Sequence, residues 1–361
     1  MIDMEQGAVV HVVQHLAPGG LEVMALELAR MQSARLPAVV LSLEGDAEQA
    51  IAAWPRLSSL AGQLAFAGKR PGFDPLLPLR LARLFRRWRP AIVHTHHVGP
   101  LLYAGTAARL AGVRARLHTE HDAWHLEDPR RRRLMRMAMM SARPLMIADA
   151  PHVATAVAEH LAIRRPEVVL NGVDTSRFMP ADRGAARRAL GLSQEVRICG
   201  IAARLERVKG VDVAIAALRL LPADVVLVIA GGGAEETVLR AQAEALGIAS
   251  RVRFLGRVDD MARFYPALDL LLVPSRNEGL PLAPLEAQAS GIRVVASEVG
   301  GTSAAIDPAT GALVDAENPR TLADAVQRLF SAPVGDPRSF VQRTASLEAT
   351  AARYLELGGI H

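Results

Sequence analysis

The sequence predicts an α/β protein built from two successive doubly wound domains. Three observations carry that reading. Short apolar runs alternate with longer amphipathic ones, the alternation lapses once near mid-chain, and it then resumes. Such alternation fits parallel sheets with helices on both faces. A chain of 361 residues, half of them hydrophobic, is long enough for two cores.

Residues 8–13, 38–43, 91–95, 115–119 and 145–148 read as buried strands of the first domain. Helical patterns at 21–32 and 78–88 lie between them. The uncharged stretch 90–108 holds His94, His96, His97, Gly99 and Pro100, so it reads as strand, loop and buried helix rather than a membrane span. Around 171–192 the pattern lapses: Asn171-Gly172 marks a turn, Pro180 breaks the chain and 182–190 is polar and helical. This stretch is expected to be the linker. Strands at 197–202, 225–230, 252–255, 268–273 and 293–296 form the second set. One helical stretch, 336–357, closes the chain. The expected domains are 1–175 and 176–340, with 341–361 a terminal helix.

The composition excludes several classes. Cys199 is the single cysteine, which rules out a disulfide scaffold and suits a reducing, cytoplasmic setting. Residues 1–6 carry two acids and no basic side chain, unlike a signal peptide. The net charge is +5, and of 42 basic residues only Lys69 and Lys209 are lysines. A basic balance favours anionic partners. Nucleic acid is not expected among them, because aromatic residues make up 4% and no nucleic-acid motif is present.

The strongest motif is Pro274-Ser275-Arg276-Asn277-Glu278-Gly279-Leu280-Pro281-Leu282-Ala283-Pro284-Leu285-Glu286-Ala287. It follows a predicted strand and opens a helix, with Pro281 suited to the first helical position. Gly279 lets a ligand approach the backbone, and free N–H groups at the helix start favour an anion. Glu278 in the loop and Glu286 in the helix are placed to accept hydrogen bonds from hydroxyl groups. The plainer alternative is a proline-punctuated turn with two solvated acids. A second motif, Ala203-Arg204-Leu205-Glu206-Arg207-Val208-Lys209-Gly210, also follows a strand. Arg204 and Lys209 there suit neutralisation of a diphosphate leaving group, or form a merely basic turn.

Together these segments resemble glycosyltransferase family 4, the retaining glycosyl transferases group 1 of the GT-B fold. The two glutamates match the family's Glu-seven-residues-Glu signature. The 203–210 segment resembles its Gly-Arg-Leu-x-x-x-Lys-Gly element, with Ala203 in place of the first glycine. The resemblance runs from His15 to about Tyr354. It implies two Rossmann-like domains facing a cleft, the last helix returning to the first domain. It makes Glu286 the ribose ligand and Glu278 a contact of the donor sugar, with the backbone of Gly279, Leu280, Pro281 and Leu282 near sugar and diphosphate. It makes Arg204 and Lys209 the diphosphate ligands and brings the backbone at Arg257 and Val258 to the base. Gly19-Gly20 resembles the family's glycine loop under the diphosphate, and His121, followed by Asp122, falls on its active-site histidine. Gly300-Gly301 matches a late glycine pair, but Ser303 and Ala304 stand where the family usually has Pro-Glu.

The implied activity is transfer of a sugar from a UDP- or GDP-type nucleoside-diphosphate sugar to a glycan or lipid-linked acceptor, in bacterial polysaccharide or glycolipid synthesis. Two rivals are a sugar-nucleotide epimerase of the same architecture and a non-catalytic binder. His94, His96, His97, His118, His121 and His125 invite a metal reading. They lack cysteine support and offer only His121/His125 at helical spacing, so no metal and no cofactor is expected. The arginine-rich amphipathic stretches around 80–89 and 130–140 are expected to be sheet-covering helices with solvated arginine faces, the alternative being peripheral contact with an anionic membrane.

Overall fold

The computed structural model describes residues 7–360. The chain forms two compact units, one running to Gly172 and resuming at Leu347, the other spanning Val173–Ser346. The first unit holds seven strands: β1 (Val9–Val13), β2 (Ala38–Ser42), β3 (Leu64–Phe66), β4 (Ile92–His96), β5 (Ala115–Glu120), β6 (Leu145–Ala148) and β7 (Glu167–Val168). Their order is β3-β2-β1-β4-β5-β6-β7, every pair parallel. The second holds β8 (Arg197–Ala202), β9 (Val225–Ala230), β10 (Val252–Gly256), β11 (Leu270–Val273), β12 (Arg293–Ser297) and β13 (Ala312–Val314). Its order is β10-β9-β8-β11-β12-β13, again all parallel. Both are doubly wound sheets whose strand order reverses beside the first strand of the unit.

The expected strands are present with ends shifted by a residue or two. Missing from the sequence reading were β3, β7 and β13, each two or three residues long. Segments so short carry no periodicity. They are strands only because a longer neighbour offers them a parallel edge.

Strand alternation sorts the first core into two layers. Val10, Val12, Val39, Leu41 and Val93 pack with Leu81, Phe85 and Trp88 on one face. Val9, Val13, Val40, Ile92 and Leu117 pack on the other, under Met24 and Leu28 of helix Gly20–Gln32 and Tyr354 and Leu355 of helix Leu347–Leu357. Helix Leu77–Trp88 thus turns its apolar side inward. Helix Pro129–Ala142 buries Met135, Ala138 and Ala142, but Met137 and Met140 face out.

Two segments take a more definite form. The polar helical segment within the stretch read as linker is helix Arg183–Ala189, which packs as part of the second unit. Arg187, 3% exposed, anchors it: its guanidinium donates to the carbonyls of Ala267 (3.0 Å) and Val196 (3.1 Å) and to Asp269 (2.7 Å). A polar helical face hid a buried arginine. The closing helical stretch is also two helices, Pro337–Thr344 and Leu347–Leu357. The first stays in the second unit, held by Arg338, which donates to the carbonyls of Thr175 (2.7 Å) and Phe178 (2.8 Å). The break at Ala345 is fixed because its carbonyl accepts from Val173 N–H at 2.9 Å. The return to the first unit therefore begins at Leu347.

Removing one partner of a buried charge pair leaves the other uncompensated, at a cost of roughly 3 kcal/mol. Arg187→Ala should lower the urea midpoint of the second unit accordingly, with Arg187→Lys recovering only part. An unchanged midpoint would mean that Arg187 does not hold this helix.

Candidate functional site

The second unit gathers its polar loops where its strand order reverses, between β8 and β11. In open parallel sheets ligands bind at the carboxyl ends of strands at that point. Lys209 comes from the loop after β8 and Glu278 from the loop after β11. The ammonium donates to both carboxylate oxygens, at 2.8 and 2.9 Å, and Ser275 Oγ donates to Glu278 Oε1 at 2.7 Å. The glutamate is almost covered and the lysine about one fifth exposed.

Glycines knit the surrounding loops. A Cβ on Gly210, at φ +62°, would lie 1.9 Å from the Pro274 carbonyl oxygen, and one on Gly300, at φ +52°, equally close to that of Glu278. Gly301 N–H donates to the Gly279 carbonyl at 3.1 Å. The β8 loop is also tied to the Gly231–Gly233 turn: Leu205 N–H donates to Gly232 O and Glu235 N–H to Leu205 O, each at 3.0 Å. Arg276 adds an electrostatic strut, reaching Asp212 (2.7 and 2.8 Å) and Glu317 (2.6 Å). These carboxylates hold its guanidinium firmly protonated, and Arg276 holds the Asp212 carboxyl below its usual range.

Glu286 lies in helix Leu282–Ala289 and accepts from the buried Tyr265 hydroxyl at 2.6 Å. Burial, reinforced by that carboxylate, drives the tyrosine pKa well up, so Tyr265 is a permanent donor here. Pro281 is the residue before the helix rather than its first, with φ −71° and ψ 133°. Its fixed φ suits an extended cap equally well. Arg204 is mostly exposed and pairs with Glu206 at 2.5 Å, and Arg257, after β10, reaches Asp259 at 3.2 Å. Val258 follows it in the same loop. Tyr265 and the strut role of Arg276 were missed from sequence: Tyr265 lies in no recognisable pattern, and the motif that contains Arg276 does not show that Asp212 and Glu317 are brought to it.

The first unit carries a second polar cluster. Residues 9, 11 and 13 share a face of β1, and His11 is in register with His94 of β4. His94, His96, Thr119 and, just past β5, His121 continue that face. His118 points to the other face, between Thr95 (2.9 Å) and Glu120 (2.8 Å). His125 faces Asp122 at 3.0 Å. Burial lowers the His125 pKa, but Asp122 and Glu120 outweigh it and the net direction is up. His97 has φ +68°, a strained conformation for a side chain of its size. Burial takes it to about 4. Gly19 and Gly20 begin the first helix, where a Cβ on Gly19 would collide with the Glu22 carboxylate.

His121 Nε2 lies 3.1 Å from His96 Nδ1, and His121 Nδ1 lies 3.3 Å from Asp149 Oδ2. His96 Nε2 meets His11 Nδ1 at 3.3 Å, and His11 Nε2 meets Gln32 Oε1 at 2.7 Å. Burial lowers His11 to about 4 and drives His94 and His96 well down, and it raises Asp149 despite His121 and Asn171. Ring nitrogens of His11, His94 and His96 lie within 4.8 Å of one another, a geometry that invites a metal. Ligation would take His11 and His96 out of their mutual hydrogen bond. His94 Nδ1 is buried without a partner, its other nitrogen meeting Thr119 Oγ1 at 2.7 Å. His11, Gln32 and Asp149 were missed from sequence, because the strand order that unites them is not written locally.

Comparison with known proteins settles the family. The model for Glycosyltransferase Family 4 matches residues 18–177 and that for glycosyl transferases group 1 matches residues 182–346. The chain belongs to this glycosyltransferase family. Neither model describes an epimerase, so that alternative gains no support. A D-inositol 3-phosphate glycosyltransferase of Mycolicibacterium gilvum is 36% identical over 73% of this chain and 58% of its own length. That of Rhodococcus opacus is 33% identical over 75% of this chain and 59% of its own. The chain thus spans less than two thirds of these curated relatives. In fold it resembles Anabaena Alr3699/HepE, solved in complex with UDP and glucose, with TM-score 0.80, 21% identity, and 96% and 98% of the two chains covered. It likewise resembles sucrose-phosphate synthase from Thermosynechococcus elongatus, with TM-score 0.77, 20% identity and 98% of both chains covered. The family's fold is thus present as two doubly wound α/β units of the GT-B type.

The buried imidazoles make the first unit acid-sensitive. His11 titrates near 4 when folded and 6.5 when unfolded, so unfolding takes up a proton in between. Stability is intact above pH 6.5 and falls as pH drops toward 4, by about 3 kcal/mol from His11 alone. Thermal melts should show the first unit losing stability across that interval. A melt indifferent to pH there would show that His11 is charged in the folded state.

Proposed function

We propose that this chain is a retaining glycosyltransferase that moves a sugar from a nucleoside-diphosphate sugar to a hydroxyl acceptor. The observation that carries this is the Lys209–Glu278 pair at the strand-order reversal of the second unit, within the family's two-glutamate motif. Lys209 and Arg204 neutralise the diphosphate as it departs, with N–H groups at the start of helix Leu282–Ala289 adding positive potential. Before donor arrives, Lys209 is neutralised by Glu278. A diphosphate competes for the ammonium, and the freed carboxylate accepts from sugar hydroxyls. Glu286, oriented by Tyr265, accepts from the ribose. In this reading the backbone of Gly279, Leu280, Pro281 and Leu282 lines sugar and diphosphate and that of Arg257 and Val258 the base; a diphosphate role for Gly19-Gly20 is what the family resemblance alone implies.

His121 orients the transferred sugar. The family resemblance implies that a donor phosphate oxygen deprotonates the acceptor on the face the diphosphate leaves, and no carboxylate pair among the described residues is evident as nucleophile and acid. That route gives retention. UDP is favoured over GDP, because the fold neighbour from Anabaena was solved with UDP. A glycan or lipid-linked molecule is the proposed acceptor. The names of the curated relatives add a phosphorylated inositol to the acceptors worth assaying.

A thermal-shift and turnover screen of nucleoside diphosphates and their sugars tests the donor site. One nucleotide should stabilise the protein. Glu286→Ala should remove a hydrogen bond to the ribose and weaken binding roughly tenfold, and Lys209→Ala should cost more in turnover than in binding. If no nucleotide stabilises the wild type, or both variants respond as it does, the donor site is misassigned.

Peripheral membrane contact has one specific support. No helix among the described residues is long and apolar enough to cross a bilayer. Yet Trp124, Met137 and Met140 are more than half exposed, with Arg131 over the Trp124 ring at 5.6 Å. Apolar side chains beside arginines suit an anionic interface. Vesicles containing anionic lipid should co-sediment the protein, and Met137→Ser with Met140→Ser should release it. Equal sedimentation with neutral vesicles would dismiss the contact.

A further inference from the structure

The first-unit cluster has a direction, and the Gln32 side chain supplies it. Its amide nitrogen donates to the Ala351 carbonyl at 3.4 Å, which leaves Oε1 facing His11 Nε2 at 2.7 Å. An amide oxygen only accepts, so His11 carries its proton on Nε2. His11 is fully buried and neutral at ordinary pH, so Nδ1 holds a lone pair. That lone pair faces His96 Nε2, which must donate. His96 is likewise buried and neutral, so its Nδ1 accepts, and the donor is His121 Nε2. The tautomer of each imidazole is set by the one before it.

The last link differs from the rest. With its proton on Nε2, a neutral His121 has only a lone pair at Nδ1, and that atom faces Asp149 Oδ2 at 3.3 Å. A lone pair against a carboxylate is repulsive. The contact is favourable only with a proton in it, either on Nδ1 opposite a carboxylate or on Oδ2 opposite a neutral ring. Both descriptions contain the same number of protons. Asn171 Nδ2 donates to the same oxygen at 2.9 Å, and Asp149 is 1% exposed.

We propose that Gln32, His11 and His96 form a one-way hydrogen-bond relay that locks a single proton into the contact between His121 and Asp149. Gln32, His11, His96 and Asp149 are positioning residues: they fix the ring of His121 and its proton count, and of these five only His121 meets the sugar. Reversing the relay would put the His121 proton on Nδ1 opposite an ionised Asp149, with one proton fewer. That reversal turns His11 Nε2 into a lone pair facing the Gln32 oxygen. Gln32 therefore opposes loss of the shared proton from a distance of three imidazoles.

Other titratable groups surround the contact. His97, its ring 6.1 Å from that of His121, and Asp122 approach from the loops after β4 and β5. His152 lies on the helix after β6, and Tyr354 on the last helix. His94 lies behind His96, 4.2 Å between ring centroids. None is hydrogen-bonded to His121 or Asp149 among the described contacts, so none replaces the relay as the source of its direction.

The role of His121 toward the sugar rests on the proposed function, but the proton is measurable without substrate. Histidine-labelled protein at neutral pH, read by nitrogen and proton NMR, should show His121 Nε2 protonated and a far-downfield proton in its Nδ1 contact. Asp149→Asn should abolish that signal while the His11 and His96 tautomers persist. Gln32→Met should lower the pH at which the proton is lost by about one unit. A His121 protonated only at Nδ1 in the wild type, or a titration unmoved by Gln32→Met in a folded protein, overturns the relay. So does stoichiometric uptake of added zinc with loss of the His11 and His96 ring-proton signals, because metal would then occupy those nitrogens. Failure of nucleotide binding, by contrast, overturns the donor site and leaves the relay standing.

Discussion

The register of β1 on β4 and of β4 on β5 is the constraint on which the first unit's chemistry depends. His11 lies opposite His94, and His94 opposite Leu117. Alternation then carries His96, Thr119 and His121 onto the same face. A slip of one residue in either pairing would send the imidazoles to the layer of Phe85 and Trp88, away from Gln32 and Asp149. The valines flanking His11 make such a slip costly. Val9 and Val13 pack under one pair of helices while Val10 and Val12 pack under another, so either face must bury apolar groups. The hydrophobic pattern therefore fixes where the polar groups go.

The second unit solves a different problem. Its ligating side chains stand on loops, and loops hold a geometry only when their backbones are pinned. Here the pinning is done by close approach. Gly210 against Pro274, Gly231 against Ala203 and Gly300 against Glu278 bring backbones nearer than any side chain allows. Four of the six strand ends described, those of β8, β9, β11 and β12, are thereby joined around Lys209 and Glu278. Ser303 and Ala304 replace the Pro-Glu usual after the late glycine pair. The pair itself still braces the glutamate loop through Gly301, so the substitution leaves the brace intact.

Much of this was legible in the sequence, for reasons that differ by element. Long strands such as β8 and β9 announced themselves because residues buried on both faces must be continuously apolar. Lys209 and Glu278 were legible because each follows a strand and each lies in a patterned loop. Arg187 was not, since a buried arginine on a short polar helix looks like a solvated one until Asp269, far along the chain, is brought to it. His11 was hidden inside an apolar run, and Asp149, directly after β6, stands in no motif. Both become visible only when strand order is known, and strand order is a property of the whole domain.

The two clusters also differ in how they treat charge. In the second unit a cation and an anion stand opposed at a partly open surface, where a ligand can exchange with either partner. In the first, burial has stripped charge from three imidazoles, and the remaining proton is confined to the edge of the cluster, at His121, whose side chain is one tenth exposed. Neutral rings in series cost less to bury than charged ones, and each still transmits orientation, because a tautomer fixed at one nitrogen fixes the role of the other. A run of histidines in a sheet interior is therefore not redundant. It carries a choice made by an amide on helix Gly20–Gln32 across two strands to the loop where His121 stands.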